Sequence, residues 1–135
     1  MTIKDNFDVP SSAQHLPVST EPVFILFLAS NDPGTNQPWC SDVRAALPGL
    51  NKLFSEPSSP IVHYAYVGAK EEYKGVASNR YRTGWNVACI PLLARYERVG
   101  DMVNEVNRLV EDELLDEKRV RALVGMSERV GLDQA

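Results

Sequence analysis

The sequence predicts an α/β domain in which a mixed β-sheet of four or five strands lies between helices. Residues 23–29 form a continuously apolar run with the composition of a strand that is buried on both faces, and the mostly apolar run at residues 61–67 predicts a second buried strand. Between these runs, apolar side chains recur at helical spacing, at Val43, Ala46, Leu47, Leu50 and Phe54. Segments of strand and helix character therefore alternate along the chain, and this alternation is typical of the α/β class.

Two prolines interrupt these patterns. Pro48 lies inside the predicted helix and should kink it without ending it, because the apolar spacing continues beyond it. Pro91 lies within the apolar residues 87–96. Since proline has no N–H to donate to a neighbouring strand, we expect Pro91 to begin or bend a strand.

Shorter elements should connect and follow these segments. We expect a short helix near residues 78–83, a loop with a helical turn at residues 98–106 and a short edge strand at residues 108–111. Asp116 should cap a final helix, because an aspartate side chain can accept hydrogen bonds from the free N–H groups of a first turn.

The N-terminal residues 1–21 are polar and punctuated by prolines. We expect this segment to be partly ordered, with room for a short first strand or helix. The domain itself should then cover residues 22–135, a length that can bury one hydrophobic core.

Charge and composition exclude several classes of partner. The formal net charge is −4 and the basic residues are scattered, whereas nucleic acids and anionic membranes require a concentrated basic patch. No apolar stretch approaches the roughly 20 residues that span a bilayer. The first residues also lack the apolar centre of a signal peptide. With two cysteines in the chain, these features predict a cytoplasmic protein whose sulfurs are thiols.

Metal and cofactor sites are not predicted. His15 and His63 lie far apart in the sequence, and no cluster of cysteine and histidine has the spacing of metal ligands.

Cys40 is the strongest candidate for a reactive residue. It lies between the loop that follows residues 23–29 and the start of the first predicted helix. A thiol at a helix N-terminus meets unpaired N–H groups and the positive end of the helix dipole, and both favour the thiolate. We therefore expect Cys40 to act as a nucleophile, the alternative being an exposed cysteine of ordinary reactivity.

Three stretches of the chain resemble one known family. Residues 39–48 read W-C-S-D-V-R-A-A-L-P, residues 67–70 read V-G-A-K, and residues 87–93 read V-A-C-I-P-L-L. They are similar to the W-C-x-D-C-x-x-A-x-P, V-G-x-K and V-T-A-V-P-T-L-L stretches of the small cytosolic thioredoxin-related proteins with a WCPDC site. The second stretch continues with Tyr73, Lys74, Asn79 and Arg82, which look like the W-K, N and F-R positions of the same family. The resemblance covers residues 22–126, with an insertion near residues 99–107. It implies a thioredoxin-like domain of three layers.

The resemblance also implies roles for the site residues. Cys40 would be the attacking cysteine, Asp42 the acidic residue of the site, and Pro91 the cis-proline that faces it. Asp42 has two open roles, proton acceptor in thiol chemistry or helix cap. The expected substrate groove comprises Trp39, Ser41, Val43, Ile90 and Pro91. Members of the family reduce small disulfides and selected protein disulfides with electrons from thioredoxin reductase.

Two departures from the family pattern change the expected chemistry. Val43 stands where the family has its second cysteine, and Ser41 stands where it has a proline. Release of a mixed disulfide would therefore need an outside thiol such as glutathione. We expect monothiol exchange with disulfide-containing proteins or small molecules. The alternative is a redox-degenerate binding module that holds a partner in the same groove without turnover.

Three further residues complete the sequence-based expectations. Ile90, the residue directly before Pro91, is expected to face the site. Because neighbouring strand residues face opposite sides of a sheet, Cys89 should point into the core. Lys70 and Arg82 fit two descriptions, a cationic patch for acidic or glutathione-like partners or ordinary solvated surface charges.

Overall fold

Five strands form the central sheet of the computed structural model, which describes residues 2–127. They are β1 (Ile3–Lys4), β2 (Val23–Leu28), β5 (Val62–Tyr66), β6 (Leu92–Val99) and β7 (Met102–Val110). A separate two-stranded hairpin is formed by β3 (Asn31–Asp32) and β4 (Gln37–Pro38). The helices are α1 (Ser41–Phe54), α2 (Lys70–Tyr73), α3 (Arg80–Trp85) and α4 (Glu117–Val124), with 3₁₀ turns at Ala13–His15 and Glu111–Leu115.

The central sheet is mixed. Its strand order is β1-β5-β2-β6-β7, with β5 parallel to both β1 and β2, and with antiparallel pairing from β2 to β6 and from β6 to β7. Helix α1 forms the crossover between the parallel strands β2 and β5. Every residue of β2 after Val23 is buried, so the predicted α/β class and its central apolar strand are confirmed.

Helices α1 and α4 follow the local signals of the sequence. Helix α1 is a single 14-residue helix with Pro48 inside it. Asp116 caps α4, because its Oδ1 accepts a hydrogen bond from the backbone N–H of Arg119 at 3.3 Å. Gly125 ends α4 in the left-handed conformation, at φ 78°, which glycine adopts without strain.

The predicted loop at residues 98–106 is wrong. Strand β7 pairs with β6 from Met102 to Val110, and the turn between them contains Gly100 at φ 64°. The register shifts opposite Arg95 and Tyr96, so that Val106 has no partner in the ladder. A β-bulge of this kind breaks the two-residue alternation by which an edge strand is recognised.

The expected strand at residues 87–96 starts later than the apolar run. Strand β6 begins at Leu92, directly after Pro91, so the proline begins a strand as predicted. The helix expected near residues 78–83 is α3, which begins at Arg80 and ends at Trp85.

The N-terminal segment is built into the same core as the rest of the chain. Strand β1 adds to the sheet beside β5, and Val9, Leu16 and Val18 are buried. Gly84 lies so close to the segment that a Cβ there would overlap the carbonyl oxygen of Ser11. The expected domain range of 22–135 therefore leaves out residues that pack in its core, and its last residues, 128–135, lie outside the described part of the chain.

Membrane insertion was not predicted from the sequence. Among the described residues, no helix has the length and apolar character needed to cross a bilayer.

Candidate functional site

Cys40 is the N-cap residue of α1. Its backbone is extended, at φ −98° and ψ 126°, and its carbonyl oxygen accepts the first helical hydrogen bond, from Arg44 at 3.1 Å. The Cys40 thiol is half-buried and lies 3.9 Å from the carbonyl oxygen of Ile90. The peptide bond between Ile90 and Pro91 is cis. The fold thus brings the first turn of α1 against the segment that enters β6.

Trp39 forms one wall beside the sulfur. Its indole N–H donates to the carbonyl oxygen of Gly68 at 2.8 Å, and its backbone N–H donates to Ser30 at 3.3 Å. The Trp39 ring centroid lies 6.1 Å from that of Tyr73. These contacts hold Trp39 in place, so it can line the groove without taking part in the chemistry.

Val43 does not line the groove. Its side chain is 0% exposed and belongs to the core face of α1. The expectation of a groove residue is corrected because Val43 shares the apolar face of α1 with Ala46 and Leu50, and this face packs in the core. Ile90 is 5% exposed and Pro91 is also buried, so these two form the floor beside the sulfur.

The first turn of α1 exposes its polar residues. Ser41 and Asp42 are both exposed. Asp42 is not the helix cap, because Cys40 occupies the N-cap position. Asp42 instead supplies a negative charge in the first turn, where the positive end of the helix dipole stabilises it. Asp42 is exposed close to Cys40 in the chain, and its role as a proton acceptor stays a prediction.

Cys89 is half-exposed, and the expectation that it points into the core is wrong. The alternation of strand side chains does not apply to it, because β6 begins only at Leu92. Burial, followed by the negative charge of Glu111, raises the pKa of the Cys89 thiol. Cys89 therefore stays protonated at neutral pH more completely than an ordinary cysteine does.

Tyr73 and Arg82 belong to the same region. The Tyr73 hydroxyl donates to the carbonyl oxygen of Val87 at 2.8 Å. Burial raises the pKa of Tyr73; the positive charge of Arg82 opposes this rise, and the neighbouring sulfurs of Cys89 and Cys40 add to it. The Arg82 guanidinium lies 4.0 Å above the Tyr73 ring centroid. Sequence reasoning did not assign Tyr73 to the groove, although it follows the V-G-A-K stretch that carries the family resemblance.

Lys70 and Arg82 do not form one patch of equivalent charges. Lys70 is exposed at the start of α2, whereas Arg82 is half-buried and held by backbone carbonyl groups. Within residues 2–127, no group of three or more His, Cys, Asp or Glu side chains could hold a metal ion.

Comparison with known proteins identifies several similar chains. Residues 3–125 match the profile of the thioredoxin domain of the thioredoxin domain-containing protein 17-like family. A thioredoxin domain-containing protein of Schizosaccharomyces pombe is 36% identical over 96 residues, which cover 71% of this chain and 77% of that protein. The thioredoxin-like protein Clot of Arabidopsis thaliana is 37% identical over 82 residues, covering 59% and 60% of the two chains. The solved structure of Trichomonas vaginalis thioredoxin aligns with a TM-score of 0.48 and 16% identity over 77% of each chain.

Proposed function

We propose that this chain, which belongs to the thioredoxin domain-containing protein 17-like family, carries out thiol–disulfide exchange with Cys40 as its one nucleophile. The position of the Cys40 sulfur carries the proposal: it is half-exposed at the N-terminus of α1 and 3.9 Å from the Ile90 carbonyl oxygen. The helix N-terminus favours the thiolate that attacks disulfides.

The first step forms a mixed disulfide. The Cys40 thiolate attacks one sulfur of a substrate disulfide, a bond forms between the two sulfurs, and the other substrate half leaves as a thiolate that takes up a proton. Trp39 and the buried pair Ile90 and Pro91 border the sulfur on the substrate side. The substrates would be disulfide-containing proteins or small molecules.

The second step needs an external thiol. Val43 has no sulfur and its side chain is fully buried, so no second thiolate of α1 can attack the mixed disulfide. An external thiolate such as that of glutathione would attack the substrate sulfur instead. Cys40 then leaves as a thiolate, and a disulfide forms between the external thiol and the released substrate half. This cycle would operate in a reducing cytoplasm, where glutathione is abundant. Thioredoxin reductase is the alternative to glutathione as the source of electrons.

A binding module without turnover is the second candidate function. The burial of Val43 favours the binding module, because the side chain that replaces the second cysteine packs in the core and takes no part in thiol chemistry. In this case the groove around Trp39 and Pro91 would hold a partner whether or not Cys40 carries a sulfur.

Reduction of a protein disulfide at graded glutathione concentrations separates the two candidates. We expect a rate above the background of glutathione alone, lost in C40S and kept in C89S, the matched cysteine control. No rate above background at any glutathione concentration would overturn the proposed turnover. Capture of the same partner by C40S and by the unaltered protein would then favour the binding module.

A further inference from the structure

We infer that Arg82 is a substrate-binding residue that selects disulfides carrying a carboxylate close to the sulfur. The inference rests on the proposed exchange at Cys40 and adds to it the class of substrate. It is carried by how the structure holds this guanidinium and by what lies next to it.

Most of the described arginines already have a carboxylate partner. The pairs are Arg80 with Asp8, Arg95 with Glu97, Arg108 with Glu105, Arg119 with Glu113, and Arg121 with both Glu56 and Glu117. Within the part of the chain that the structure describes, Arg82 has no such partner. Its positive charge is therefore available to a carboxylate from outside the chain.

The Arg82 side chain is fixed in position even without a carboxylate. Its Nε donates to the carbonyl oxygen of Tyr73 at 3.0 Å, and its Nη1 donates to that of Ala88 at 3.3 Å. The guanidinium also stacks on the Tyr73 ring. Among the described residues, no acceptor is bonded to Nη2. A guanidinium that is held on one edge and free on another is arranged to receive a ligand without first being ordered.

Both contacts of Arg82 lead to the surroundings of the Cys40 sulfur. Tyr73 lies against Trp39, the residue directly before Cys40. Ala88 lies two residues before Ile90, whose carbonyl oxygen is 3.9 Å from the sulfur. Arg82 therefore borders the same groove as the nucleophile, on the side of Tyr73 and the segment before Pro91.

A carboxylate is the ligand that this arrangement favours. Guanidinium and carboxylate form short, charge-assisted hydrogen bonds, and a guanidinium offers its donors in a planar geometry that matches the two carboxylate oxygens. Glu111 is an opposing charge in the same region: its backbone N–H donates to the Pro91 carbonyl oxygen at 2.8 Å, and its negative charge acts on both Tyr73 and Cys89. An anionic substrate is thus attracted by Arg82 and repelled by Glu111.

The test compares two small disulfides that differ in charge. Dithiobis(nitrobenzoate) carries two carboxylates and dithiodipyridine carries none, and each releases a coloured product when one thiolate attacks it. Rates are measured in the C89S background, so that only Cys40 reacts. We expect R82Q to slow the reaction with the anionic probe about three- to fivefold, the effect of one partly exposed ion pair, and to leave the neutral probe unchanged. R82K should keep part of the preference, and E111Q should raise the rate with the anionic probe.

Arg98 provides the matched control. It lies on β6 far along the strand from Pro91, and its Nε donates to the carbonyl oxygen of Val18 at 2.7 Å. R98Q removes the same charge and should change neither rate. Thermal unfolding of R82Q checks that the loss of two backbone hydrogen bonds has not unfolded the groove.

The outcomes separate this inference from the proposed function. A ratio of the two rates that is the same in R82Q and in the C89S parent overturns the assignment of Arg82, as does an equal loss with both probes. If the parent reacts with the neutral probe no faster than free cysteine, Cys40 is not an activated nucleophile. The proposed exchange then fails whatever Arg82 does.

Discussion

The Cys40 sulfur and the carbonyl oxygen of Ile90 lie 3.9 Å apart, although the two residues are separated by 50 positions in the chain. One comes from the N-terminus of α1 and the other from the segment that enters β6. Strand β2 connects the elements that carry them, because it precedes α1 in the chain and pairs with β6 in the sheet. The site therefore depends on the packing of the central sheet as much as on the cysteine.

Replacing Val43 by cysteine should restore a second sulfur one turn after Cys40. We expect V43C to release a mixed disulfide at Cys40 without added glutathione, because the new thiol attacks within the same molecule. V43A is the matched control, since it also shortens a fully buried side chain but adds no sulfur. Each variant should lose about 1–2 kcal/mol of stability. Release from V43C no faster than from V43A would show that the new sulfur cannot reach the mixed disulfide.

The two cysteines should differ in alkylation by iodoacetamide. Burial and Glu111 raise the pKa of Cys89 above its usual value of 9.0, so less thiolate is present at neutral pH. In the C40S variant, alkylation of Cys89 should be slower than that of an unstructured cysteine, and its rate should still be rising with pH at 9.0. Mass spectrometry of C40S and C89S over a pH series measures both rates. Rapid alkylation of Cys89 at pH 7 would contradict the raised pKa.

Substitution of Gly84 by alanine should destabilise the protein by detaching the N-terminal segment. A Cβ at this position would overlap the carbonyl oxygen of Ser11, and the backbone must shift to relieve it. We expect G84A to lower the free energy of unfolding by about 1–3 kcal/mol.

Gly49 is the control for this substitution. It lies inside α1, and a Cβ there would meet no atom within 4 Å. G49A should stabilise the protein by about 0.5–1 kcal/mol, because alanine favours the helix. Urea unfolding measures both variants, and equal stability of G84A and the parent would mean that the segment moves without cost.

Acidification should destabilise the protein through His63. Burial, followed by the positive charge of Lys4, lowers the pKa of His63 below its usual value of 6.5. The unfolded chain then binds a proton at a pH where the folded chain does not, so stability falls as the pH drops from 6.5 through the folded pKa. Urea unfolding between pH 7.5 and 5.5 should show this loss, and H63L should remove the part due to His63. An identical pH dependence in H63L would assign the loss to other groups.

The sequence by itself determined the features that depend on neighbouring residues. The apolar runs specified β2 and β5, the helical spacing specified α1, and Asp116 marked the start of α4, because strands, helices and caps follow local periodicity and hydrogen bonding. The position of Cys40 at a helix N-terminus was equally local, and the three motif stretches predicted the family that the comparison then showed.

Only the tertiary structure decided what depends on distant parts of the chain. It turned Val43 into the core, left Cys89 half-exposed, and fixed Arg82 on Tyr73 without a carboxylate partner among the described residues. It also drew the polar N-terminal segment into the core through Val9, Leu16 and Val18. The physical reason is that burial and ion pairing are set by contacts between residues far apart in the sequence, whose partners no local pattern identifies.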